Sequence, residues 1–278
     1  MKKFLNKKYI YSKKRKIWTL MYMYFNFCNN KSFIFPSYSL IKNIGFDGTG
    51  ENTIVSNYFT QYNKNSESEI NTLCEKYGSD KGESTNEIKP FTWLAHNYAD
   101  IYELIFKLKK EDVRLLIECG IGTNNPNLPS SMGIKGKPGA SLRMWRDFFP
   151  NANIIGVDID ANILFSESRI QTFQCDQTNA SSIKQFIINA NLKKNSSDII
   201  IDDGLHEFEA GKIFFENTIN YLTDNGFYII EDVSLKDMIL YKDYFSNLKK
   251  FYTIHFFNLK TPKRSSDDDN RLIIISKN

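Results

Sequence analysis

The sequence predicts an α/β protein: a mostly parallel sheet of seven strands, covered by helices on both faces and closed by an antiparallel C-terminal hairpin. Three observations predict it. From about residue 98, short apolar runs alternate with amphipathic segments of helical length. The runs themselves are nearly all apolar, as strands buried on both faces of a parallel sheet are. The last two runs are joined by a polar loop with no helix in it, so they pair antiparallel, because a parallel return needs a crossover of about a dozen residues or more.

Taken in order, the pattern predicts a helix over Tyr98–Leu108 and a strand over Arg114–Cys119. A helix over Gly139–Phe149 and strands over Asn153–Val157 and Ile170–Cys175 follow. Next come a helix at Ser181–Ala190, a strand at Asp198–Ile201, a helix at Glu207–Leu222, a strand at Gly226–Ile230 and a helix at Leu235–Leu248. The hairpin is Tyr252–Phe257, the loop TPKRSSDDDN, and Arg271–Ser276.

The rest of the chain divides by composition. Of 278 residues, 41% are hydrophobic and 24% charged, which excludes global disorder and a polytopic membrane protein. Residues 1–46 hold ten of the 36 basic residues and no acid, which leaves 26 basic against 32 acidic residues in a body of net charge −6. An acidic body excludes nucleic acid as the main partner. The four cysteines are far apart, with no C-x-x-C, and read as reduced thiols in a cytoplasmic protein. The apolar stretch Ile17–Phe27 is well short of the ~20 residues that span a bilayer. It also lacks the small-residue cleavage site of a signal peptide. The domain reading is a basic, aromatic extension over 1–60, a linker with a covering loop and helix over 61–110, and a cofactor-binding domain over 111–278. The extension suits contact with an anionic membrane surface; the plainer reading is a partly ordered terminus.

The strand ends carry the chemistry, since ligands of such sheets bind beyond the carboxyl ends of the strands. Glu118-Cys119-Gly120-Ile121-Gly122 ends the first strand. Two glycines let backbone approach a ligand, and the acid can accept from hydroxyl or ammonium groups. The nineteen-residue insertion after it, TNNPNLPSSMGIKGKPGAS, is long for an inert connection. Asp158 ends the second strand, where an acid accepts from both ribose hydroxyls. Asp176 and Gln177 follow the third, at the corner that faces an adenine; a solvated turn is the alternative there. Asp202-Asp203-Gly204-Leu205-His206 follows the fourth. Alternation along a strand turns Asp202 toward a cofactor and Asp203 toward a substrate, with His206 over the same crevice in the first turn of the next helix. Glu231-Asp232 ends the fifth strand. Asp203, Glu231 and Asp232 then share one rim, where carboxylates repel unless a cation sits among them. A hard divalent ion, Mg²⁺ most simply, resolves this; helix caps and surface acids are the competing reading. His255 reads as a packed strand residue, and His96 as an interior histidine within reach of a substrate.

Together these pieces resemble a known family, the metal-dependent sugar O-methyltransferases of the mycinamicin and tetracenomycin pathways. The seven-strand arrangement is that of Rossmann-like class I S-adenosylmethionine (SAM) methyltransferases. The matching residues are Tyr77-Gly78-Ser79-Asp80-Lys81-Gly82, His96-Asn97-Tyr98, Tyr102, Glu118–Gly122, Gly139–Trp145, Gly156-Val157-Asp158, Asp202-Asp203-Gly204-x-His206 and Glu231-Asp232. The resemblance implies that His206 is the general base, that Asp203, Glu231 and Asp232 hold Mg²⁺, and that Asp202 contacts SAM. It implies a SAM site completed by Glu118, Gly120, Gly122, Ser141, Asp158, Asp176 and Gln177, under a loop at Gly78–Gly82. Pro36–Glu51 is similar to the C-terminal tail of glycosyltransferases of surface-polysaccharide pathways. The expected activity is methyl transfer to a sugar hydroxyl or phosphoryl-type oxygen of a polysaccharide or nucleotide-linked precursor. The reading admits as further partners an anionic membrane surface and a second copy of the chain. An NAD-dependent oxidoreductase is the rival enzyme, disfavoured by the missing third glycine. A non-catalytic module anchored to a membrane or assembly is the other rival, and it leaves the acids unexplained.

Overall fold

A computed structural model describes residues 68–83, 90–260 and 269–278, together with the backbone of two strands at 33–36 and 56–61. Ile17–Phe27 and residues 37–51 of the glycosyltransferase-like stretch lie outside the described residues.

The strands, in chain order, are β1 Phe33–Pro36, β2 Ser56–Gln61, β3 Leu115–Cys119, β4 Asn153–Asp158, β5 Ser166–Glu167, β6 Ile170–Gln174, β7 Ser197–Asp202, β8 Leu222–Ile230, β9 Tyr252–Lys260 and β10 Arg271–Lys277. The described helices are α1 Glu69–Tyr77, α2 Tyr98–Phe106, α3 Ala140–Phe148, α4 Ala180–Asn189, α5 Phe208–Thr218 and α6 Leu235–Ser246. They form one sheet in the order β1-β2-β9-β10-β8-β7-β3-β4-β6-β5. The strands β8, β7, β3, β4 and β6 run parallel. The last strand, β10, runs antiparallel between β8 and β9. The expected hairpin is therefore present, and its second arm is driven into the sheet rather than added at its edge.

The sheet has ten strands where seven were expected. β5 is a two-residue arm folded antiparallel on β6. The other two come from the N-terminal region, read from sequence as an extension and linker: β2 lies parallel on β9, and β1 antiparallel on β2. The partner that holds β2 to the sheet, β9, is about 200 residues away in sequence, so no local pattern announces the pairing. A helix that begins within the polar stretch 61–72 and runs on to Tyr77 was also missed. α1 starts where the Ser68 hydroxyl accepts from the Asn71 amide, and stops at Gly78 in the left-handed region, φ 80°.

Two apolar layers cover the sheet. On one face α1, α2 and α3 bury an aromatic group: Trp145 stands edge-on to Tyr102 at 5.2 Å and stacks on Phe149 at 5.8 Å. On the other, α4, α5 and α6 bury Ile183, Phe186, Phe214, Phe215, Met238, Tyr241 and Phe245. Each such side chain stabilises the fold by about 1.5–3 kcal/mol. These layers fix the strand ends rigidly, and the polar residues project beyond them.

Candidate active site

Backbone bonds bring the strand ends together first. Gly120 donates its amide to the Val157 carbonyl at 2.8 Å, Asp203 to Cys119 at 2.9 Å, and Glu231 to Asp202 at 2.9 Å. β4, β3, β7 and β8 are thus laced at their carboxyl ends. Gly120 is required here: its φ is 83°, and a Cβ on it would lie 1.9 Å from the Asp203 carbonyl oxygen.

A cleft of about 700 Å³ opens above this lacing. Gly120, Gly122, Ser141, Asp158, Asp176 and Gln177, all expected at a cofactor, line it. Asp158 is held by two backbone amides: Ile121 donates to Oδ2 and Asp160 to Oδ1, both at 2.9 Å. Burial pushes its pKa up, against those hydrogen bonds. The long insertion lines the cleft through Leu128–Met132, with Met132 packed on the Gly122 turn. Trp93 and Leu94 add an apolar edge beside Asp80, to which the Trp93 indole donates at 2.6 Å.

Two residues expected at the cofactor do not line this cleft. Asp202 is buried beneath the cleft and accepts from Gln177 Nε2 at 3.0 Å and from the Gly204 amide. It orients Gln177, whose Oε1 accepts from the Leu205 amide at 2.7 Å. The chain turns out of the sheet after Asp202, so strand alternation no longer governs the pair. Glu118 is fully buried behind the cleft, where burial raises its carboxyl to about 7 against the pull of Lys81.

The acids of β7 and β8 separate into two groups. Asp203 and Asp232 come together with His206, each offering one ligand atom within 4.8 Å of the others. The His206 Nε2 lies 3.4 Å from Asp203 Oδ1 and 3.7 Å from Asp232 Oδ2, and is buried without a hydrogen-bond partner. His206 precedes α5 rather than opening it. It takes φ 62°, and Asp232 takes φ 51°, a left-handed backbone that costs non-glycine residues energy and concentrates at functional sites. Burial disfavours charge on the imidazole, but Asp232 and Asp203 outweigh it and raise its pKa to about 10.

Glu231, the third acid expected on a metal, faces the other way. Its Oε1 accepts from the Tyr102 hydroxyl, and its Oε2 pairs with Lys81 Nζ at 2.7 Å. Lys81 is the residue that the reading of individual sequence positions passed over. Its ammonium, 2% exposed, also lies 2.6 Å from Asp203 Oδ2 and 3.1 Å from Glu118 Oε1. Burial opposes its charge, but Asp203, Glu231 and Glu118 together hold its pKa well above the usual lysine value. Asp203 overcomes its own burial through Lys81 and His206 and is held at about 2. The cation demanded by packed carboxylates is thus supplied in part by the chain. No spacing signal could have shown this, because Lys81 meets acids 122 and 150 residues on.

α2 completes the site. Tyr98 and Tyr102, one turn apart, donate to Asp232 at 2.6 Å and to Glu231 respectively. His96 is buried as expected, and also lines the cleft, with Nε2 3.4 Å from Asp232 Oδ1. His255 lies within β9, paired across to Ile274, where burial lowers its pKa.

The Asp203 and Asp232 carboxylates suit a hard divalent ion, and His206 Nε2 stands beside both without a hydrogen bond. The fold is that of class I methyltransferases. The MycE methyltransferase of the mycinamycin pathway, solved in complex with Mg and SAH, superposes with a TM-score of 0.52 and 21% identity over 75% of this chain and 54% of that one.

Among curated proteins, the chain is similar to sugar O-methyltransferases, as the sequence motifs imply. It is 32% identical over 168 residues to the 8-demethyl-8-(2-methoxy-alpha-L-rhamnosyl)-tetracenomycin-C 3'-O-methyltransferase of Streptomyces olivaceus, covering 59% of this chain and 37% of that protein. It is 37% identical over 153 residues to the mycinamicin VI 2''-O-methyltransferase of Micromonospora griseorubida, covering 54% and 35%. The chain thus spans little more than a third of the length of these relatives. No family model matches it. Among the described residues no helix is long and apolar enough to cross a membrane.

Proposed function

We propose that this chain is a SAM-dependent O-methyltransferase that uses a divalent ion, Mg²⁺ in the simplest case, to methylate a sugar hydroxyl. The observation that carries the reading is the meeting of a glycine turn and the Asp203–His206–Asp232 group in one cleft. Gly120, Gly122, Ser141, Asp158, Asp176 and Gln177 receive the cofactor, with residues 111–278 as its domain and the loop and helix of 61–110 as its cover. Asp203 and Asp232 hold the ion. When bound, SAM supplies a methyl group on a sulfonium, and the ion supplies Lewis acidity toward two neighbouring acceptor oxygens.

His206 Nε2 takes the proton of the acceptor hydroxyl. SAM bound in the cleft would supply the methyl group to that oxygen, its carbon–sulfur bond breaking as the carbon–oxygen bond forms and SAH being the product. Once Asp203 and Asp232 share their charge with an ion, their hold on an imidazolium weakens, which suits His206 to accept a proton near neutral pH. A vicinal diol fits the arrangement best. The finer acceptor is a sugar on a polysaccharide or nucleotide-linked precursor; the glycosyltransferase-like stretch at 36–51 supports that reading.

The test combines calorimetry with a methyl-transfer assay on nucleotide-linked and free sugars. SAM should bind and NAD should not. EDTA should abolish transfer while leaving SAM binding intact. Binding of NAD in place of SAM, or transfer unaffected by EDTA, would overturn the proposal.

A further inference from the structure

Strand directions carry the N-terminal region to the end of the sheet where the cleft opens. The parallel strands have their carboxyl ends at that cleft. β10 runs against β8, and β9 runs against β10, so β9 finishes at the cleft end with Lys260. β2 is parallel to β9 and finishes there with Gln61. β1 pairs antiparallel, Phe33 opposite Gln61, and therefore begins there. The chain before Phe33 thus joins the sheet at its cleft end, four strand spacings of ~4.8 Å, about 19 Å, from β8.

That preceding sequence is basic and then aromatic. Residues 1–16 hold eight Lys or Arg and no acid, and Ile17–Phe27 holds five aromatic residues. Polybasic segments are drawn to anionic lipid headgroups, and Trp and Tyr settle at the membrane–water interface. The folded body repeats the pairing at the same end. In the long insertion after β3, Ile134 is 93% exposed, and the exposed Lys135 and Lys137 follow it. Leu94 and Ile159, also exposed, line the mouth of the cleft. Apolar side chains left out of the core and set beside lysines suit the headgroup layer of a bilayer.

We propose that the cleft end of this protein is a membrane-facing surface: the basic arm binds anionic phospholipid, Ile134 and Leu94 rest at headgroup level, and the cleft opens onto the bilayer. The body beyond residue 46 carries a net charge of −6 and is repelled by such a surface, so the arm decides which end approaches. The inference needs nothing from the methyl-transfer reading.

Co-sedimentation of the full chain with vesicles tests this. Wild type should bind vesicles of equal parts phosphatidylcholine and phosphatidylserine, ignore phosphatidylcholine alone, and be released by high salt. Lys13→Gln, Lys14→Gln, Arg15→Gln and Lys16→Gln together should weaken binding about 10²–10³-fold. Ile134→Ser, at an exposed position, should weaken it about tenfold or more. Orientation is read in a Cys28→Ser background, where the remaining cysteines are buried. Energy transfer to a lipid-borne dye should be stronger from a probe on Leu94→Cys, at the cleft mouth, than from one on Phe251→Cys, which precedes β9 at the opposite end of the sheet. Wild type that binds neither vesicle, or both alike, overturns the proposal, and no variant need fold for that result. So do unchanged binding by either substituted chain, stronger transfer from residue 251, and a preference for duplex RNA over the mixed vesicles. None of these measurements uses SAM or an acceptor, so failure here leaves the methyl-transfer reading standing, and failure of that reading leaves the surface to be judged by its own result.

Discussion

His206 and Asp203 lie 3.4 Å apart, yet substitutions at the two should fail in different ways. Asp203→Ala removes an oxygen donor for the ion, so the metal concentration needed for half-activity should rise. His206→Ala removes the proposed base. It should lower turnover ~10²–10⁴-fold while leaving the metal requirement and SAM affinity nearly unchanged. An equal shift in metal requirement for both variants would make the histidine a ligand and sink the assignment of roles. Asp158 offers a second residue-scale test. It accepts from two buried amides and lines the cleft. Asp158→Ala should weaken SAM binding by about 1.5–3 kcal/mol, the range for hydrogen bonds to a charged group. Calorimetry showing wild-type affinity would mean that the cofactor lies elsewhere.

The packing of α1 against α2 buries a carboxyl that titrates near neutrality. Burial, with Glu83 and Glu103 nearby, raises Asp100 to about 7. In the unfolded chain it titrates near ~3.9. The folded state therefore binds this proton more tightly, and the stability it confers is full below ~3.9 and lost as pH rises through 7. Asp100→Asn should gain on wild type between pH 4 and 7 by at least about 1 kcal/mol and then level off. Parallel stability curves across that range would refute the assignment. Sequence legibility follows the same scale. β3, β4 and β7 were readable within about a residue because each is an unbroken apolar run ending in an acid or glycine. The start of β8 was not: Leu222 reads as the end of a helix and Gly226 as the start of the strand, yet β8 begins at Leu222, which pairs with Ser197 of β7 beside a bulge. The acids of the site stood out because paired carboxylates at buried strand ends have no easy structural reason. Lys81, Tyr98 and Tyr102 were quoted as family motifs, but their work depends on contacts more than 120 residues away, which no local pattern encodes.

For the molecule as a whole, the position of β10 is decisive. Leu272, Ile273, Ile274 and Ile275 are buried between β8 and β9, and the buried Arg271 sits at the head of the strand. A chain ending at residue 268 should lose the near-ultraviolet circular dichroism of packed aromatics and bind no SAM, although every strand-end acid named above is present. Cooperative melting of that truncation would show that the five parallel strands stand alone.

The same strand sets a timetable for synthesis. Among the described strands β1 and β2 leave the ribosome first, but β2 joins the sheet through β9, and β9 through β10. The five parallel strands can come together as soon as β8 emerges, whereas β1 and β2 must wait for β9 and β10. During that interval the β8 edge, with Tyr228, Ile229 and Ile230, has no neighbour on one side. Open, apolar edges of this kind are where nascent chains stick to one another. A protein built in this order should depend on chaperones that shelter late intermediates, and its yield in cells should fall when translation slows between β8 and β10.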